Sequence, residues 1–393
     1  MKASSQIKLG MAAVVFLTWF GSIGRVAAYP PDPDNAALLY YQAFLLCPQT
    51  DDRAMMDKVF EVASGRVAPD DQVKEYVKSC RDAIDCAVAA TQLQRCDWGL
   101  RYSKGFSIAF PQLAQIRSLT WRVLADARIL AAQGDYRQAL ERCLTVYRMA
   151  GHVGDEVLIS FLVSVAVSTQ ANKCVTAILE QMPADADALT WLKGQLAAAP
   201  VAKLTAVRAM TLEEEISSEY LQPKRVAELP AILAEPSGMS AEEIRKLISE
   251  PVLERARAYY ASYRDSALPI LGGQTPYAES YPKLQELANQ MEQAAAKDPA
   301  VRLIKAIAPA MTKIYVAQTR FKADFNALQA ALDVYIAKAA TGQLPQSLPG
   351  ASPRDPYTGD AFKYERTNDG FVLRCGINDA DKNEARQFKF QVK

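Results

Sequence analysis

The stretch Ile304–Gly342, IKAIAPAMTKIYVAQTRFKADFNALQAALDVYIAKAATG, carries one apolar stripe from end to end. Ile304, Ile307, Met311, Ile314, Phe321, Phe325, Leu328, Leu332 and Tyr335 follow one another at steps of three, four or seven residues. That rhythm keeps side chains on one face of a 3.6-residue helix and predicts a long final helix, kinked early by Pro309. After Gly342 the character changes. Residues 343–361 are rich in Pro, Gly, Ser and Asp. Then Phe362, Tyr364, Phe371, Leu373, Phe388, Phe390 and Val392 alternate with polar neighbours, the period of a strand. Asn368-Asp369-Gly370 is a hairpin-turn signal. The expected fold is therefore mainly α: an irregular bundle or solenoid of helical hairpins, followed by a long helix and a small antiparallel β module.

Upstream, helical spacing recurs. Asp34 or Asn35 caps a helix running to about Cys47, and residues 52–64 make a second. Pro69 opens a third, expected to continue through Val73, Val77, Cys80 and Ile84 to about Arg95. Cys96-Asp97-Trp98-Gly99 breaks the pattern, and a loop runs to Pro111. Helices follow over 111–133, to about Gly151, over 154–181, from Asp185 to Pro200, and over 203–221. Pro223–Gly238 reads as an irregular linker. Ser240-Ala-Glu-Glu243 is a capping box that starts a helix, and Pro269–Pro282 reads as a loop. The expected organisation is a signal segment 1–28, an N-terminal helical domain 29–222, a linker 223–239, a helical region 240–342 and a β module 343–393.

The N-terminus has the three parts of a secretory signal: Lys2 and Lys8, the apolar run Leu9–Phe20, and Val26-Ala27-Ala28 before Tyr29. The expectation is an exported, periplasmic or extracellular protein cleaved after Ala28; the alternative is an uncleaved membrane anchor. No later stretch holds about 18 uncharged apolar residues, so no span is expected after cleavage. Val157–Val167 comes closest. Of the 393 residues 50% are hydrophobic, enough for a sizeable core, and the net charge is +1. A balanced chain lacks the basic excess that tracks phosphates, so nucleic acid and anionic membranes are poor partners. Export permits disulfides, and a bridge is expected first among Cys47, Cys80, Cys86 and Cys96. Cys143 and Cys174 lie on apolar helical stretches and read as core.

Three resemblances stand on particular residues. Ala127-Arg-Ile-Leu130-Ala-Ala-Gln-Gly134-Asp135-Tyr136-Arg-Gln-Ala139-Leu140 resembles the inner half of a tetratricopeptide repeat, with small Ala127 and Ala139 letting two helices approach and Gly134-Asp135 turning between them. No second copy follows at about 34 residues, so the likeness covers one hairpin. Residues 318–381 resemble the tail of type II secretion major pseudopilins, through Ala331-Leu332, Tyr335, Gly342-Gln-Leu-Pro345, Asp355-Pro356-Tyr357-Thr358-Gly359, Asp369-Gly370-Phe371 and Gly376-Ile-Asn378-Asp379. That resemblance implies a long helix handing over to a small sheet, and an acidic loop that binds calcium. Filament assembly does not carry over, because the family's N-terminal membrane segment and processing site have no counterpart here. The whole chain is similar to a group of uncharacterised exported bacterial proteins that pair a Cys-Asp-Trp-Gly loop with a helical core and this tail.

Two candidate sites emerge. Asn378, Asp379, Asp381, Asn383 and Glu384 place alternating oxygen ligands in one loop, as a hard cation such as calcium requires; the competing reading is a solvated acidic turn. Asp97, Trp98 and Tyr102 form a loop able to shape a ligand pocket; the competing reading is structural, with Trp98 filling a core gap, Asp97 capping amides and Gly99 taking a backbone denied to other residues. His152, the only histidine, has no second metal-ligating partner in sequence and reads as a helix-end residue. No catalytic or cofactor motif is complete. The leading expectation is an exported, non-enzymatic helical scaffold or binding protein with a protein partner, using an aromatic concave surface such as that around Tyr259, Tyr260 and Tyr263. The competitors are an envelope-polymer hydrolase using Asp97 with the Glu213–Glu219 carboxylates, and an accessory component of a secretion or pilus-like apparatus.

Overall fold

Pro309 does more than kink the last helical stretch. In the computed structural model one helix, Pro299–Ile307, stops before it, and a new one, Met311–Thr341, starts after it. Ala308, clashing with the proline ring in a helical conformation, takes extended backbone at ψ 132°. The structure describes residues 32–48, 52–154, 156–237, 239–273, 275–350, 352–380 and 382–392; the signal segment and Asp381 lie outside them. Residues Met1–Asp34 form a unit of their own, of which only 32–34 are described, without regular structure. Everything below concerns the second unit, Asn35–Lys393. It is mainly helical, with 15 α-helices and one three-stranded antiparallel sheet among the described residues.

The first helices are set by their caps. Asn35, Asp52 and Asp70 each accept a first-turn amide, starting α1 (Ala36–Leu46), α2 (Arg53–Ala63) and α3 (Asp71–Ser79). The single helix expected from Pro69 to Arg95 is broken at Cys80, and α4 runs over Arg81–Ala90. At the break the Ser79 hydroxyl bonds the Tyr76 carbonyl, the local competition by which serine weakens a helix.

Helices α5 (Pro111–Ala132), α6 (Tyr136–Val153) and α7 (Leu158–Leu179) form consecutive antiparallel hairpins. Gly134 makes the first turn at φ +87°, and Asp135 caps α6 by accepting the Gln138 amide. Ala127 and Ala139 are fully buried, so the hairpin packs closely. Ser164 Oγ donates to the Ala150 carbonyl and Tyr147 bonds Asn172 across the next interface. Cys143 and Cys174 are both buried in this core, and the Cys174 thiol donates to the Leu124 carbonyl at 3.8 Å. All seven cysteines are free thiols, so the bridge expected near the N-terminus is not formed. Helix α7 is long and apolar enough to cross a membrane by length and composition, yet it packs against α5, α6 and the final helix.

Beyond α8 (Ala186–Ala198) and α9 (Val207–Tyr220), the stretch read as a linker is largely helical. Helix α10 (Leu229–Ser237) accepts Pro230 in its first turn and buries Leu229 and Leu233. The capping box at Ser240–Glu243 starts α11 (Ala241–Leu247). The loop expected over 269–282 contracts to residues between α12 (Glu250–Leu271) and α13 (Tyr277–Ala295). Two first-turn amides of α13 are satisfied from far along the chain: Tyr277 and Ala278 donate to the Pro356 and Tyr357 carbonyls, both at 3.0 Å. Helix α14 is Pro299–Ile307 and α15 is Met311–Thr341.

Helix α15 is the spine. It packs on α7, α8 and α13, and the Gln318 amide joins the Ala206 amide (2.7 Å) to the Leu271 carbonyl (2.8 Å). The sheet, in order β1 (Lys363–Arg366), β2 (Gly370–Asp379), β3 (Glu384–Gln391), lies against it. Tyr335 donates to the Gln391 carbonyl at 2.6 Å, and Arg386 pairs with Asp324.

Candidate binding groove

The Cys96–Gly99 loop is built into the first helices. The Asp97 amide donates to Asn35 Oδ1 at 2.8 Å, and Asn35 Nδ2 donates to the Asp97 carbonyl at 2.9 Å. The Asp97 carboxylate accepts the Gly99 amide at 2.9 Å and faces Arg95 at 3.6 Å. Trp98 stacks on Tyr40 with ring centroids 5.4 Å apart, stacks on Phe44 at 6.5 Å, and donates Nε1 to the His152 carbonyl at 2.8 Å. Its ring thus closes α1 against the end of α6. Tyr102 lies half-buried among the charges of Glu156, Arg208 and Asp97, and burial above all raises its pKa. Burial, then the charges of Glu156 and Asp97, pushes the Cys96 thiol up to about 12, which leaves it protonated at neutral pH.

His152 belongs to the same cluster. Its Nδ1 lies 2.9 Å from the Tyr40 hydroxyl, which donates to it when the ring is neutral with its proton on Nε2. Burial holds its pKa below the usual 6.5, partly offset by a backbone bond to Leu93. Between 6.5 and the lower folded value, the unfolded chain takes up a proton that the folded one refuses. Stability therefore falls as pH drops below about 6.5, by at most ~1.4 kcal/mol per pH unit for one group. Urea midpoints at pH 7.5 and 5.5 should show the loss in the wild type and a smaller one in His152→Gln; equal losses in both would place the titration elsewhere.

The carboxylates imagined as an acid/base pair are dispersed. Glu213 accepts the Leu158 amide at 3.0 Å at the start of α7, and burial raises its pKa. Glu214 pairs with Arg264 at 2.5 Å, Glu219 with Arg225 at 3.6 Å, and Glu215 is exposed. Among the described residues, no hydrogen bond or ion pair joins Asp97 to any of them. Tyr260 and Tyr263 are buried, so the aromatic surface expected there is core.

In the C-terminal loop, Asp379 turns inward. Its carboxylate takes Arg320 Nε at 2.7 Å and Nη2 at 2.5 Å, and the Tyr357 hydroxyl at 2.8 Å. Asn378 Nδ2 donates to the Asn383 carbonyl at 3.0 Å, Asn383 has φ +51°, and Glu384 is exposed at the start of β3. Among the described residues, which omit Asp381, no group of three His, Cys, Asp or Glu side chains is placed to hold a metal ion.

The feature that motif reading missed is a groove of about 340 Å³ between α2, α5 and α7. Asp57 and Phe60 come from α2; Arg117, Thr120 and Trp121 from α5; Ala166, Val167 and Gln170 from α7. Each set recurs at helical spacing, so one face of each helix is presented. Phe60 and Trp121 meet with centroids 5.1 Å apart and form an aromatic wall. The Thr120 hydroxyl is buried without a partner among the described residues. Asp57 and Arg117 are exposed, and neither makes an ion pair or side-chain hydrogen bond among the described residues. By contrast, the larger cleft between α3 and α5 neutralises itself, with Lys74 on Asp71, Lys78 on Glu75 and Arg81 on Asp126. Scans of the chain against protein-family models, curated proteins and solved structures each find no match.

Proposed function

We propose that this chain is an exported, non-enzymatic helical binding protein that holds its ligand in the groove between α2, α5 and α7. The observation that carries the reading is the pairing of an aromatic wall, Phe60 and Trp121, with two opposite charges, Asp57 and Arg117, that the fold itself leaves unused. Ligand sites combine an apolar surface with a few orienting polar groups in this way. The signal-like N-terminus supports export. The dispersal of Asp97 and Glu213–Glu219 argues against an acid/base enzyme built on them. The long helix leading into a small sheet keeps the secretion-apparatus reading as a second one, with the groove then facing another component of that apparatus.

The test is site-specific photo-crosslinking in the native host. A photoreactive residue in place of Ala166, exposed on the groove wall, should give a discrete adduct, and one in place of Lys389 on β3 should not. Trp121→Ala should abolish the adduct. An adduct that survives Trp121→Ala, or none at Ala166, overturns the groove as the site.

A further inference from the structure

Building on the groove reading, we infer that its ligand is a small zwitterion with an aromatic or branched apolar side group, of the size of an amino acid or dipeptide. Four observations converge. The volume, about 340 Å³, is at the small end of ligand pockets, so a long segment does not fit inside it. The groove offers one carboxylate and one guanidinium, Asp57 and Arg117, both exposed and on different helices, and neither has an ion-pair or side-chain hydrogen-bond partner among the described residues. A ligand carrying a single charge would face one complementary group and one repulsive group. A ligand carrying an ammonium at one end and a carboxylate at the other meets both. The guanidinium is a planar fork suited to a carboxylate, whereas Asp57 offers acceptors suited to an ammonium.

The walls supply the rest. Phe60 and Trp121 are tilted by 59°; the Arg66 guanidinium lies over Phe60, 5.3 Å from its centroid, so the half-buried Trp121 ring is the surface offered to a planar or branched side group. Val167 and the small Ala166 line the wall contributed by α7. The half-buried Gln170 amide is the group able to bond a peptide amide or carbonyl.

Calorimetric titration of the mature chain with Ala-Phe, its N-acetyl and C-amide forms, and free phenylalanine tests this. Ala-Phe should bind, and each capped form about two- to fivefold more weakly, the scale of one exposed ion pair. Asp57→Asn should erase the penalty of N-acetylation only, and Arg117→Gln that of amidation only. Free phenylalanine binding as well as Ala-Phe would identify an amino-acid site; weaker binding would identify a dipeptide site. Capped and uncapped forms binding alike, or no binding by any of the four, overturns the zwitterion. If the Ala166 adduct is still formed and still lost on Trp121→Ala, the groove remains the site; if that adduct also fails, both fall together.

Discussion

Replacing Asp379 by alanine will lower the unfolding free energy by about 3 kcal/mol, near the lower end of the range for opening a buried ion pair. The Asp379 side chain is 1% exposed, whereas that of its partner Arg320 is 28% exposed. Removing the carboxylate takes both of its hydrogen bonds from the Arg320 guanidinium, and deprives the buried Tyr357 hydroxyl of its acceptor. The partial access keeps the cost from the top of the range. Asp379→Asn keeps the shape and loses the charge, so it should fall between. Urea denaturation with and without a chelator reads the effect. The loss should be the same in both, because the Asp379 carboxylate is already engaged by Arg320 and Tyr357. A loss present only with calcium would reassign Asp379 to metal binding.

Trp98→Ala will cost about 3 kcal/mol, the usual scale for removing a packed aromatic ring, discounted because the ring is half-buried. The substitution removes the stacking on Tyr40 and Phe44 and the donor to the His152 carbonyl. It also opens the cover over His152, so that the histidine should titrate closer to 6.5. Urea midpoints give the first result, and the pH dependence of the His152 ring resonances gives the second. Trp98→Phe keeps most of the packing and should lose about 1 kcal/mol through the missing hydrogen bond. A change below about 0.5 kcal/mol in Trp98→Ala would be that of an ordinary surface residue and would return the loop to the candidate ligand sites.

Local physics made much of the fold legible in the sequence. The caps at Asn35 and Ser240, the turn at Gly134-Asp135 and the hairpin at Asn368–Gly370 depend on residues close in sequence, and they stand where the chain announces them. Elsewhere the local signal falls short. Proline marks a helix boundary when read locally, yet Pro230 sits in the first turn of α10, where it has no amide to lose, and the start of α13 is fixed by the distant turn at Pro356–Tyr357. The stretch around Tyr259–Tyr263 has aromatic residues in plain view, and whether they face water depends on partners far along the chain. The groove was invisible for the same reason. Phe60, Trp121 and Val167 sit on three helices with no shared motif, and each helix alone shows only an ordinary amphipathic face. The one local hint is Asp57 and Phe60 followed by Arg117 and Trp121, a charge and an aromatic ring on one face of each of two helices.

The position of α15 has a consequence for the order in which this chain can acquire its structure. Lys193 and Asp333 pair across 140 residues, Ala206 and Gln318 bond across 112, and Tyr147 packs its ring on Phe325. The helices made first therefore complete their core only with a helix made near the end. During synthesis, α5 to α8 lack one wall, and contacts of such wide sequence separation form late. A nascent chain of this design therefore leaves the faces of α7 and α8 that meet α15 uncovered until residues 311–341 have been made.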